Sequence, residues 1–163
     1  MFSTRLVAAF LAPFVVATAV AGCSGSSSND EVGALSKSQF AQKSNDLCAS
    51  AQVERTQLLQ QLPMNPSGPA DAAKLDSVVE IDRELIRKVD ALVPPESEQD
   101  RVDKVLDGWR RRAGVEEQYA DAVGAMQDPA TLATFTANLA QIDAADDPIA
   151  TQLGMTQCTR GST

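Results

Sequence analysis

Charged residues interrupt the apolar stripes of the helix-like segments in this sequence. Four charged residues occupy positions on these stripes at the helical spacing of three or four residues: Arg55, Asp82, Arg112 and Glu116. If the segments pack together, these side chains form an ion-pair layer that fixes the register of the helices, because buried charges are normally paired. The same residue types also suit a polar pocket for a small anionic or zwitterionic ligand. Both interpretations stay open at this level.

The sequence contains no histidine. This absence removes the commonest general base, the commonest zinc ligand and every Ser-His or Cys-His dyad. Phosphate-binding and dinucleotide-binding glycine motifs are absent as well, as is a Glu-x-x-His pair for a di-iron centre. Sequence neighbours such as Glu116 and Glu117 point in different directions from a helix, so they do not predict a catalytic carboxylate pair. We therefore expect no enzyme activity, no metal and no cofactor.

The charge balance argues against a nucleic-acid partner. The 163 residues, enough for one compact domain, carry 22 acidic and 14 basic side chains, for a net charge of −8. The run Arg110–Arg112 is the local exception. On a helix these side chains fan apart, and Asp107 lies four residues before Arg111, which predicts an ion pair on a solvated face. The alternative is docking of anionic lipid headgroups.

The N-terminus has the layout of a signal peptide. Arg5 precedes an uncharged run from Leu6 to Val20, and a stretch rich in Ser and Gly follows Cys23. The run has about 15 residues, or roughly 22 Å as a helix, which is short of the ~30 Å hydrocarbon core of a bilayer. We therefore expect export rather than a permanent membrane span.

The segment Val20-Ala21-Gly22-Cys23 resembles the lipobox of bacterial lipoproteins at all four positions. The resemblance implies diacylglycerol on the Cys23 sulfur, cleavage before Cys23 and acylation of the new α-amino group, with palmitate as an expected chain. It also implies anchoring at the extracytoplasmic face of the cell membrane. The expected organisation is a signal peptide over residues 1–22, a lipidated and flexible tether over 23–35, and a helical domain over 36–163.

Two cysteines remain once Cys23 is assigned to lipid. Exported proteins meet an oxidising environment, so Cys48 and Cys158 are expected to form one disulfide. The bond would join the first structured segment to the last and close a loop of about 110 residues, which stabilises a fold by ~4–5 kcal/mol on the chain-entropy model. The alternative is two free thiols, one of them reactive.

Four segments carry apolar residues at helical spacing, and no segment alternates like a strand. The predicted helices run from Ser36 to Leu62, from about Ala70 to Val93, from about Ser97 to Met126, and from Asp128 to about Leu153. A Ser-x-x-Gln capping box begins the first helix, and an Asp-Pro pair begins the fourth. A second such pair, Asp147-Pro148, predicts a kink or restart. A bend or a close helix approach is expected at Gly108, Gly114 and Gly124.

Short connections between four helices predict antiparallel neighbours. With every stripe facing inward, we expect an all-α, antiparallel up-down four-helix bundle pinned by one disulfide. The fourth helix then returns to the end where the first begins, which brings Cys158 beside Cys48. Asp82, Arg112 and Glu116 fall at comparable heights on neighbouring helices.

Three short motifs mark the helical domain: Phe40-x-x-Lys43-x-Asn45-x-Leu47-Cys48, the pair Pro94-Pro95, and Leu153-Gly154-Met155-x-x-Cys158. In these motifs the domain resembles a group of small actinobacterial, mycobacterial-like envelope lipoproteins. The resemblance implies a disulfide-pinned helical domain and supplies no catalytic residues. We expect a non-enzymatic, lipid-anchored module that binds an envelope protein or a small ligand. The alternatives are a carrier of lipid or glycolipid with an apolar cavity, and an enzyme that uses Asp and Glu alone.

Overall fold

The computed structural model describes residues 33–160. The predicted signal peptide, Cys23 and most of the predicted tether lie outside the described residues. Four α-helices and two short 3-10 turns make up the described part, which contains no strand. The helices are α1 (Lys37–Leu59), α2 (Pro69–Asp90), α3 (Gln99–Gly124) and α4 (Pro129–Gln152), and the 3-10 turns are Glu96–Glu98 and Thr156–Cys158. The all-helical prediction is confirmed.

The local signals at the helix starts act as predicted. The Ser36 hydroxyl accepts a hydrogen bond from the Gln39 amide at 3.3 Å, and the Gln39 side chain accepts one from the Ser36 amide at 3.0 Å. At the start of α4, the Asp128 carboxylate accepts hydrogen bonds from the backbone amides of Ala130 and Thr131. These side chains satisfy amide groups that the first turn of a helix leaves without partners.

The restart predicted at Asp147-Pro148 is wrong, because α4 continues through Pro148 to Gln152. The Asp147 carboxylate does not begin a new helix. Instead it accepts from the backbone amide of Arg160, at 3.0 Å to each carboxylate oxygen. The Asp147 side chain, which the sequence predicts to be a helix cap, therefore holds the segment that follows α4.

The helices pack in chain order, α1 on α2, α2 on α3 and α3 on α4. Within residues 33–160, α1 and α4 share at most a marginal contact, and the Thr156–Cys158 turn packs on both of them. The Cys48–Cys158 disulfide joins this turn to α1 across 110 residues of sequence. Asn45 reinforces the junction, since its amide donates to the Gly154 carbonyl and accepts from the Gln157 amide.

The buried apolar residues form two clusters. The larger surrounds the disulfide and includes Phe40, Val89, Val105, Leu106, Trp109, Leu153 and Met155. The smaller cluster contains Leu75, near the start of α2, and Ala120 and Val123, near the end of α3. Along α2, Asp82 lies between Leu75 of one cluster and Leu85 of the other. The charged side chains therefore separate two apolar layers.

Candidate functional site

The four charged residues singled out from the stripes come together in the structure. With Asp143 and Arg160 they form one network, here named the charged cluster. Arg55 on α1 donates to Asp82 on α2 and, at 3.2 Å, to Glu116 on α3. Arg112 donates to Glu116 one turn further along α3 and, through Nε, to Asp143 on α4 at 2.8 Å. All four helices thus contribute to the cluster.

Asp143 and Arg160 are the two members that the sequence analysis missed. Asp143 lies four residues after Leu139 on the α4 stripe, so the rule that found the other four would also have reached it. Arg160 lies beyond the last helix, where no periodicity indicates a direction. Its guanidinium donates to Asp82 at 2.7 Å because the disulfide and Asp147 hold the C-terminal segment against the helices.

The charged cluster is largely shielded from solvent. The Asp82 side chain is 5% exposed, those of Arg55 and Arg112 are 11% exposed, and that of Arg160 is 21% exposed. Three guanidinium groups face three carboxylates, so the formal charges balance. Removing any one partner would leave an opposite charge buried without compensation, which is far more costly than losing a surface ion pair.

Burial dominates the electrostatics of Asp82. Loss of hydration raises the pKa of its carboxyl to about 7, Arg55 opposes the shift, and the nearby Glu116 adds to it. For Arg112, burial works against the charged form, but Glu116 and Asp143 outweigh it and raise the pKa of the guanidinium above its usual value. Arg112 therefore stays charged, while Asp82 titrates near neutral pH.

A cavity of about 170 Å³ opens beside the charged cluster, between the second half of α1 and the C-terminal segment. Its lining includes the guanidinium-bearing residues Arg55, Arg112 and Arg160, together with Thr56 and Leu59. Among the described residues that line it, none is Asp or Glu. The carboxylates of the cluster thus lie behind the arginines, and the cavity has a cationic wall.

The disulfide belongs to the same site. Both Cys48 and Cys158 line the cavity, and Arg160 follows Cys158 by two residues. Because the bond fixes Cys158 against α1, it also positions Arg160, a cationic group of the cavity that does not lie on a helix. The prediction of a Cys48–Cys158 disulfide is confirmed, and the alternative of two free thiols is wrong.

The basic run Arg110–Arg112 does not form one patch. Arg112 lies in the charged cluster with its side chain 11% exposed, and Arg110 pairs with Asp107 at 2.8 Å and with Asp90 at 3.2 Å. The predicted Asp107–Arg111 pair is wrong, because Asp107 lies nearer to Arg110 and Arg111 reaches Asp146 on α4 at 3.6 Å. Packing against α4 therefore divides the run.

Residues 33–160 contain neither a group of metal ligands nor a membrane-spanning helix. No group of acidic and cysteine side chains in this part of the chain is arranged to hold a metal ion. None of its helices is apolar over enough of its length to cross a bilayer. The arrangement that is present, a cationic cavity wall backed by carboxylates, is suited to binding an anion.

Comparisons of the chain with protein-family models, with curated proteins and with solved structures find no match.

Proposed function

We propose that the protein is a lipid-anchored lipoprotein of the cell envelope, held at the extracytoplasmic face of the cell membrane through acylated Cys23. The single observation that carries this proposal is the Cys48–Cys158 disulfide. A structural disulfide is typical of an exported protein. It also leaves Cys23 as the one cysteine of the sequence outside the bond, at the end of the lipobox-like segment Val20–Cys23.

Acylation at Cys23 would account for stable attachment without a membrane-spanning helix. Each buried methylene group contributes about 0.8 kcal/mol, so one chain binds a membrane reversibly, whereas two or three chains anchor it firmly. The Ser- and Gly-rich residues after Cys23 would then act as a flexible tether between the anchor and the helical domain.

The helical domain is, in this proposal, a non-enzymatic binding module. The cationic cavity supports a binding role because it offers guanidinium donors within a rigid, disulfide-linked frame. The carboxylates support the absence of catalysis, since Asp82, Glu116 and Asp143 each accept from an arginine and none lines the described part of the cavity.

A second candidate function is docking of an envelope protein at the other end of the helices. Met64 is fully exposed and Met126 is 69% exposed, and both line a cavity of about 330 Å³ with Leu132. Exposed methionines adapt to varied apolar partners. Crosslinking in intact cells, with a photoreactive residue in place of Met64, tests this candidate.

For the topology we propose the antiparallel up-down arrangement. It is supported at one end by the Leu35 amide, which donates to the Val93 carbonyl at 2.8 Å, and by the Lys37–Glu98 ion pair at 3.0 Å. At the other end, the Gly68 amide donates to Val123. A carbodiimide should join Lys37 to Glu98, and a peptide map without that crosslink would count against the arrangement.

Intact-mass analysis of protein from its own membrane tests the anchor. We expect a start at Cys23 with a mass increase equal to diacylglycerol and one further acyl chain. Cys23→Ser should abolish both acylation and cleavage before residue 23, whereas the neighbouring change Ser24→Ala should leave them unchanged. An unprocessed start at Met1, or a Cys23 thiol that reacts freely with an alkylating reagent, would refute the proposal.

A further inference from the structure

The cationic wall of the cavity is rich in hydrogen-bond donors. A guanidinium has five N–H donors. Among the described residues, Arg160 donates to Asp82 through Nη2, and Arg112 donates to Asp143 through Nε and to Glu116 through Nη1. These hydrogen bonds use fewer donors than the two guanidinium groups carry, and both residues line the cavity.

We propose that the cavity bounded by Arg55, Arg112 and Arg160 binds a small organic carboxylate. A guanidinium matches a carboxylate in plane and spacing, so two parallel N–H donors reach its two oxygens. The inference deepens the proposed binding role and rests on it, because it names the chemical class of ligand that the same site would take.

The size of the cavity restricts the ligand. A volume of about 170 Å³ equals the space of about five or six water molecules, and it is smaller than the usual ~300–1,000 Å³ of pockets for larger ligands. A short chain fits this space, whereas a lipid tail does not. Leu59, Leu85 and the disulfide supply an apolar wall for that chain.

The charge balance favours a monoanion. The three arginines already face three carboxylates, so a single additional negative charge disturbs the balance least. An inorganic dianion would add twice that charge, and it would place polar oxygens against Leu59 and Leu85. Butyrate combines one carboxylate with a three-carbon chain and is therefore the probe of choice.

Calorimetric titration of the purified full chain at constant ionic strength tests the inference. We expect saturable one-to-one binding of butyrate, weaker binding of acetate, and the weakest binding of phosphate. Arg160→Gln should weaken butyrate binding about tenfold, as expected for loss of one charge-assisted interaction. Arg110→Gln, which removes an exposed arginine outside the cavity, should leave it unchanged.

A second pair of variants tests the same inference even if Arg160→Gln disturbs the fold. Gln52 and Gln57 are both exposed on α1, but only Gln52 lines the cavity. Gln52→Glu should weaken butyrate binding about fivefold by repulsion, whereas Gln57→Glu, with the same change of charge, should have little effect.

Three results would overturn the inference: no saturable binding of butyrate, tighter binding of phosphate than of butyrate, or equal effects of Gln52→Glu and Gln57→Glu. The acylation state of Cys23 is read by intact mass on the same preparation. Absence of butyrate binding by a correctly acylated protein would therefore refute the carboxylate site and leave the anchoring proposal standing.

Discussion

The Arg160 guanidinium donates to the Asp82 carboxylate at 2.7 Å, although 78 residues separate the two in the sequence. Asp82 lies on α2, and Arg160 lies beyond α4 in a segment held by the disulfide. The contact therefore couples the covalent link between the ends of the domain to the charge balance of its interior.

Removing the disulfide should destabilise the domain by about 4–5 kcal/mol, the value for a loop of this length on the chain-entropy model. The variant is Cys48→Ala with Cys158→Ala, which avoids a free thiol. Urea unfolding, followed by far-UV circular dichroism, gives the free energy of unfolding. A loss below 1 kcal/mol would show that Asn45 and Asp147 hold the C-terminal segment without the bond.

Arg55→Met should cost about 3–5 kcal/mol, because it removes one of the two arginines that contact both Asp82 and Glu116 and leaves one buried negative charge uncompensated. Arg110→Met is the matched control. It removes an exposed arginine that pairs with Asp90 and Asp107, and it should cost less than about 1 kcal/mol. Equal unfolding free energies for the two variants would contradict the account of the charged cluster.

The contribution of Asp82 to the stability of the protein should decrease as pH rises from about 4 to about 7. The pKa of Asp82 is about 7 in the folded protein, against an ordinary value of 3.8. In this range the folded state binds a proton that the unfolded state has lost, so deprotonation favours unfolding. The stabilising contribution is complete below pH 4 and is lost as pH passes through 7.

Asp82→Asn isolates this contribution, because the amide does not titrate. Urea midpoints measured from pH 4 to pH 8 should decline less steeply in the variant than in the unmodified protein. Parallel pH profiles would mean that Asp82 stays ionised in the fold.

Gly108→Ala should destabilise the protein by about 1–3 kcal/mol, since an added Cβ needs space that a packed helix pair does not have. A methyl group at this position would meet Asp146 Oδ2 at 1.7 Å. In an open helix position the same substitution stabilises by up to about 1 kcal/mol. Gly114→Ala supplies that case, because nothing lies within 4 Å of its added Cβ. A melting temperature that rises for both variants would contradict the close approach of α4 to Gly108.

Local signals in the sequence predicted much of the architecture. Apolar spacing and caps at Ser36 and Asp128 identified the helices, because a helix start depends on side chains within three residues of it. The Cys48–Cys158 pair was also predictable, since the lipobox resemblance of Cys23 leaves two cysteines to bond. Counting by three and four residues along the apolar stripes identified four members of the charged cluster. It did so because inward-facing charged residues follow the same helical periodicity as the apolar residues around them.

The sequence by itself therefore determined the helical class, the disulfide and which helices carry inward charges. Only the tertiary structure decided how those charges pair, that Asp143 and Arg160 complete the cluster, and that the carboxylates lie behind a cationic cavity wall. The physical reason is the distance along the chain over which each kind of interaction acts. Helix periodicity and capping act over one or two turns, whereas the partner of a buried charge depends on the distances and rotations of helices that packing sets across the whole chain.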